Sequence, residues 1–164
     1  MPIGVAILGF AHGHVNSYCQ RWKTNPEMGV KVVAGFDRDG SRLMDSAKKL
    51  GIDAIGDLPA LLRRDDVQAV VIAAETSEHA SLVEAAARAG KAIVLQKPMA
   101  MTMPEADRIV AAVEKSGVPF SMAWQMRVDP QNLKMKELLD SGAIGRPFMA
   151  RRRHGLTTQN MGKF

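Results

Sequence analysis

Short apolar runs alternate along this chain with stretches whose apolar residues recur every three or four positions, and that alternation narrows the choice of fold more than any other feature. Val5-Ala6-Ile7-Leu8, ended by Gly9, reads as a strand buried on both faces. Val15, Tyr18, Cys19 and Trp22 follow at helical spacing and stop before Asn25-Pro26. Lys31–Phe36 is the next strand, closed by the turn cluster Asp37-Arg38-Asp39-Gly40. Ser41 is placed to cap a helix carrying Leu43, Met44, Ala47 and Leu50, with Gly51 at its end. A weak strand over Asp53–Ile55 and a short helix over Pro59–Arg64 lead to Val67–Ala74, the strongest strand. Leu82, Val83, Ala86 and Ala89 mark a helix ending at Gly90, and Ala92–Leu95 is another strand. Thr102 and Glu105 have the spacing of a capping box, opening a helix with Ile109, Val110 and Val113 on its stripe and Gly117 at its end. Pro119–Trp124 completes the alternation. A helix from about Asp129 to Ser141, carrying Leu133, Leu138 and Leu139, and a strand over Arg146–His154 follow.

Repeated strand–helix–strand units predict an α/β fold: a parallel sheet with helices on both faces and right-handed crossovers. Ligands of such sheets sit at the carboxyl ends of the strands, so the residues just after each strand carry the information. A length of 164 residues suits one domain and part of another. The boundary falls where the alternation stops, giving a first domain over 1–122 and the beginning of a second over 123–164.

Composition removes several classes of function. No apolar stretch approaches the roughly 18 residues needed to cross a bilayer, so no membrane partner is expected. The formal charge is +5, but the aromatic content is 5% and aromatic residues do not interleave with the basic ones, which argues against nucleic acid. Anionic small molecules fit that charge as well. Cys19 is the single cysteine, which suits a reducing compartment. The run Val5–Phe10 lacks the preceding positive region and the cleavage site of a secretion signal, so a cytoplasmic protein is expected.

After the first strand comes Gly9-Phe10-Ala11-His12-Gly13-His14. A dinucleotide-binding turn places small residues at the first, third and sixth positions of such a stretch, for the tight turn, for approach to a pyrophosphate and for helix–strand packing. Gly9 fits, Ala11 departs by one methyl, and His14 does not fit, although Gly13 beside it relaxes the same turn. Asp37 closes the second strand at about the distance expected for an acid that binds adenosine ribose. Its charge favours NAD, whereas adjacent Arg38 attracts a 2′-phosphate, so NAD and NADP both stay open. His12-Gly13-His14 also admits a metal reading, which needs further ligands from other strand ends. Gln96-Lys97-Pro98 puts a lysine at the carboxyl end of the Ala92–Leu95 strand, with a bond to proline that is a candidate cis peptide. A lysine there can donate to, or exchange protons with, a substrate hydroxyl.

Taken in order, Gly9–His14, Asp37, Ala73-Ala74-Glu75-Thr76-Ser77-Glu78-His79, Ala89-Gly90-Lys91 through Lys97-Pro98, and Arg127-Val128-Asp129-Pro130 with Gly142-Ala143-Ile144-Gly145 resemble the N-terminal part of the Gfo/Idh/MocA oxidoreductases. The resemblance implies a Rossmann-type dinucleotide-binding domain, plus the truncated start of an α+β C-terminal domain. It implies NAD or NADP as cofactor and a small-molecule substrate of the sugar or polyol class, with a homo-oligomer in the full-length form. Lys97 matches the family's active-site lysine, while Gln96 stands where the family usually has Glu. Ala74, Glu75, Thr76 and His79 match the cofactor-bordering loop after the fourth strand, and Trp124 and Arg127 match positions near the nicotinamide. For Trp124 a place in the core is an equal alternative. The chain stops at Phe164, after what should be the first strand of the open sheet that builds the family's substrate pocket, so cofactor binding with little turnover is expected. The alternative is a silent dinucleotide-binding module acting through a partner.

Overall fold

A computed structural model describes residues 1–151 and residue 153. Six parallel strands form one sheet: β1 (Ile3–Leu8), β2 (Val30–Phe36), β3 (Asp53–Ala54), β4 (Ala69–Ile72), β5 (Ala92–Leu95) and β6 (Phe120–Met122), in the order β3-β2-β1-β4-β5-β6. The chain starts in the middle, winds outward to β3, then crosses back to β4 and winds out the other way. The order therefore reverses between β1 and β4, and a crevice opens above that point. The helices are α1 (His14–Thr24), α2 (Gly40–Leu50), α3 (Leu58–Leu62), α4 (His79–Arg88), α5 (Met103–Ser116) and α6 (Pro130–Asp140).

Alternation along each strand divides the core into two clusters. Val5 and Ile7 of β1 pack with Val15 and Cys19 of α1 and Leu43 of α2. Ala6 and Leu8 pack with Leu61 of α3, Leu82 and Val83 of α4 and Ile109 of α5. Ile7, Leu8, Ile72, Leu95 and Ile109 are fully buried, and each such side chain contributes roughly 1.5–3 kcal/mol relative to exposure.

The local signals act as their chemistry predicts, with exceptions. Thr102 and Glu105 do form a reciprocal capping box at the start of α5, and Gly51 and Gly117 end α2 and α5 in left-handed conformations. The cap of α2 is Asp39 rather than Ser41, because its carboxylate accepts from the N–H groups of both Ser41 and Arg42. Val67–Ala74 ladders only over Ala69–Ile72. Before it, Gln68 turns its side chain to the Gly4 N–H at 2.7 Å and the Asp65 carbonyl at 2.6 Å. Met44 and Val110 are exposed rather than buried, as they lie at the margins of their stripes.

Two compact units result, Met1–Trp124 and a second from Gln125 onward. The second opens with a 3-10 turn over Gln125–Arg127 and continues into α6, whose first turn is capped by Asp129. Leu133, Leu138 and Leu139 are all exposed on that helix. The strand expected over Arg146–His154 does not form in residues 146–151 and 153, which carry no ladder partner; Arg152 and His154 lie outside the described residues.

Candidate functional site

Gly9 makes the crevice possible. Its φ is +89°, which side chains other than hydrogen rarely tolerate, and a Cβ there would lie 2.3 Å from the Ala74 backbone. The loops after β1 and β4 therefore touch directly: Ala73 N–H donates to Leu8 O at 2.9 Å, and His12 N–H donates to Ala73 O at 3.0 Å. Gly9 N–H reaches the Phe36 carbonyl at 2.7 Å, drawing in the end of β2.

Phe10 turns its ring inward against Gly35, where a Cβ would lie 2.7 Å from the ring, so only the backbone of Phe10 faces the turn. Its N–H donates to Asp37 Oδ2 at 2.8 Å. Asp37 is buried, and its other contacts come from Asp39 N–H at 2.9 Å and from Arg42, whose Nε and Nη2 each reach a carboxylate oxygen at 2.7 Å. Burial works against the charged carboxylate, but the hydrogen bonds from Arg42 and from the Asp39 and Phe10 N–H groups outweigh it and hold the carboxyl below its usual range. The ribose hydroxyls expected to meet Asp37 would find both of its oxygens engaged. Arg42, which no sequence signal singled out, presents itself there instead and also binds Glu75 Oε1 at 2.8 Å. Arg38 points to Glu78 Oε2 at 2.7 Å, with its own side chain 68% exposed.

The α1 helix starts at the first turn with no side-chain cap, and the space around the Gly13 Cα is open. Such a helix start offers backbone donors to an anion. Ala11 is exposed, while His12 and His14 are half-buried with ring centroids 4.8 Å apart. His14 N–H donates to His12 Nδ1 at 3.4 Å. Partial burial, with the neighbouring charge of Lys97 and then His14 and His79, pushes the His12 imidazole below its ordinary value.

His79, expected to border a ligand, is 1% exposed and serves the scaffold instead. Its Nδ1 lies 3.0 Å from Pro98 O and 3.2 Å from Met99 O, and its Nε2 lies 3.2 Å from Ala74 O. The ring thus lies between the loop after β4 and the loop after β5 and donates to the carbonyl on whichever side its proton occupies. Between them, Ala74 packs against Gly9, and Thr76 opens a 3-10 turn leading into α4. Gln96 is also fully buried. Its Oε1 accepts from Lys97 N–H at 3.0 Å and its Nε2 donates to the Tyr18 hydroxyl at 3.1 Å. Lys97 itself is half-buried at the tip of β5, and the Lys97–Pro98 peptide is cis. Trp124 is 51% exposed, so its place is not the core. Arg127 belongs to the second unit.

Gly9–His14, Asp37, Ala74–Thr76, Gln96 and Lys97 therefore gather at the carboxyl ends of β1, β2, β4 and β5. The donor set fits a dinucleotide: an uncapped helix start with an open glycine for the diphosphate, and an amine for the reacting end. Among the described residues no three His, Cys, Asp or Glu side chains are grouped to hold a metal ion.

The chain is 39% identical over 124 residues to the D-apiose dehydrogenase of Paraburkholderia graminis, covering 75% of this chain and 33% of that one. It is 32% identical over 157 residues to an inositol 2-dehydrogenase of Salmonella typhimurium, covering 94% of this chain and 46% of the relative. A 3-ketoreductase from Actinomadura kijaniata, solved with NADP and TDP-benzene, superposes with a TM-score of 0.73 at 28% identity, over 87% of this chain and 43% of that one. The chain thus spans about a third to a half of the length of these relatives. The family model for an oxidoreductase family with an NAD-binding Rossmann fold matches residues 3–124, which cover the whole sheet and every strand tip just described, and the chain belongs to that Gfo/Idh/MocA family.

Proposed function

We propose that this chain is the cofactor-binding part of a dehydrogenase or reductase that moves a hydride between NAD or NADP and the carbinol carbon of a sugar, polyol or related hydroxy compound. One observation carries the reading: an uncapped helix start and a lysine converge above the point where strand order reverses, held together by the contacts of Gly9 and His79. The D-apiose and inositol dehydrogenases among the relatives support the substrate class.

When bound, the cofactor supplies a nicotinamide ring that accepts or delivers the hydride. The protein's residues do the rest. The N–H groups of Gly13 and His14, at the start of α1, bind the diphosphate. Lys97 polarises the substrate oxygen or relays its proton. Gln96 holds the backbone of that lysine against α1 through Tyr18, which fixes where the amine starts from.

Calorimetric titration of the purified protein with NAD(H) and NADP(H) tests the proposal, followed by a panel of sugars and polyols. Saturable binding of one of the two cofactors is the expected result. Lys97→Ala should leave cofactor affinity within about threefold while lowering any turnover by roughly 100-fold or more. Absence of binding to either cofactor overturns the reading. Binding with no turnover on any substrate, unaltered by Lys97→Ala, favours a silent dinucleotide-binding module.

A further inference from the structure

We infer that the protein takes up a proton from solvent when the dinucleotide binds, and that His12 is the group that receives it. The inference rests on the cofactor reading above and concerns how that same site is regulated.

The first turn contains a donor with two claimants. His14 N–H, at the start of α1, points to His12 Nδ1 at 3.4 Å, so in the free protein that nitrogen is an acceptor and carries no proton. A diphosphate at the start of α1 competes for the same N–H. Once His14 N–H turns to a phosphate oxygen, the Nδ1 lone pair loses its partner. Protonating that nitrogen converts it from an idle acceptor into a donor beside a negative charge.

The setting makes this exchange directional. His12 cannot drift far, because its N–H is fixed to Ala73 O at 3.0 Å and its carbonyl accepts from Val15 N–H at 3.1 Å. The titratable groups that act on it are Lys97 from the loop after β5, His14 on α1 and His79 at the start of α4. Tyr18 stands one ring farther, 6.4 Å from His14. Among the described residues no carboxylate joins them, and burial first, then the charge of Lys97 and the other two histidines, disfavours a charged imidazole, in keeping with the lowered titration of His12. The two negative charges of a diphosphate reverse that balance. His12 then titrates at a higher pH in the complex than in the free protein. Between those two pH values, affinity weakens as pH rises, by up to tenfold per unit. Above and below that window it is flat.

The test is isothermal titration calorimetry near pH 7, in two buffers of different ionisation enthalpy, with NADH and with NADPH. The expected result is a net uptake of protons, at most one per cofactor, by the wild-type protein, and a count lowered by that amount in His12→Gln. Subtracting the variant cancels any proton carried by the ligand itself, including that of a 2′-phosphate. As a second readout that does not depend on the variant folding, the ring C–H resonance of His12 followed by NMR should titrate at a higher pH with cofactor bound. Equal proton counts in wild type and variant, or an unmoved His12 titration in a saturated complex, overturn this inference while leaving the cofactor reading intact. Failure of both cofactors to bind overturns the cofactor reading and this inference with it.

Discussion

The two ends of the sheet offer a ligand very different things. At the amino end, Cys19, Trp22, Val30, Leu50 and Ile52, with Lys23 and Lys31 beside them, line a cavity of about 650 Å³ between α1, β2 and the end of α2. At the carboxyl end the loops are pulled tight, and buried polar side chains crowd together: Asp37, His79 and Gln96 are the buried polar residues of the chain's described core. Space alone therefore does not mark a site for a charged dinucleotide. Asp37, His79 and Gln96 each have partners, as burial demands, and those contacts tie the tips of neighbouring strands to one another and to α1. The amino end has room, lined mostly by apolar side chains with Lys23 and Lys31 at its edge.

The largest way to break this contrast is at Gly9. Gly9→Ala combines a φ of +89° with a contact 2.3 Å from the Ala74 backbone, and should cost about 3 kcal/mol or more. Urea unfolding checks this; a loss under about 1 kcal/mol would show that the two loops can separate cheaply.

Asp37→Asn comes next. It leaves Arg42 without its buried partner and should cost about 2 kcal/mol at pH 7. Because folding lowers the pKa of Asp37 and so favours its ionised form, its contribution is present above the unfolded value of roughly 4 and fades as pH falls through the lower folded value. Stability curves of wild type and variant should therefore run parallel from pH 8 to about 5 and converge below about 4. Parallel curves throughout that acid range would mean that the carboxyl is not held ionised by Arg42.

The smallest effect belongs to the amino end. Burial pushes the Cys19 thiol up to about 11, so labelling by a thiolate-seeking reagent at pH 8 should be slow until the protein unfolds. Cys19→Ala should cost about 1 kcal/mol and leave cofactor affinity within about twofold. A large loss of cofactor binding in that variant would erase the distinction between the two ends.

How much of this could be read from the sequence follows from how local each cause is. Strands β1, β2 and β5, the capping box of α5 and the glycine ends of α2 and α5 depend on residues a few positions apart, and their signals are in the residues themselves. Gly9 and Lys97 are legible because a glycine after a buried strand and a lysine before a proline have narrow structural meanings. The clamp of Arg42 on Asp37 is a different matter. Five residues separate them, but whether they meet depends on how α2 leaves β2, which no local pattern records. Tyr18 and Gln96 are 78 residues apart and become partners only when α1 and the tip of β5 are both in place. His79 lies in a loop that the resemblance places beside the cofactor, yet its ring is buried among three carbonyls, and only the folded crevice shows where that ring can go.

Gln96 has one more consequence. An amide neither gains nor loses charge across the pH range in which proteins work, so the link it makes between Tyr18 and the backbone of Lys97 is electrically silent. A carboxylate in the same place would have set a fixed negative potential under the lysine. Here the potential at the strand tip is left for whatever occupies the crevice to write.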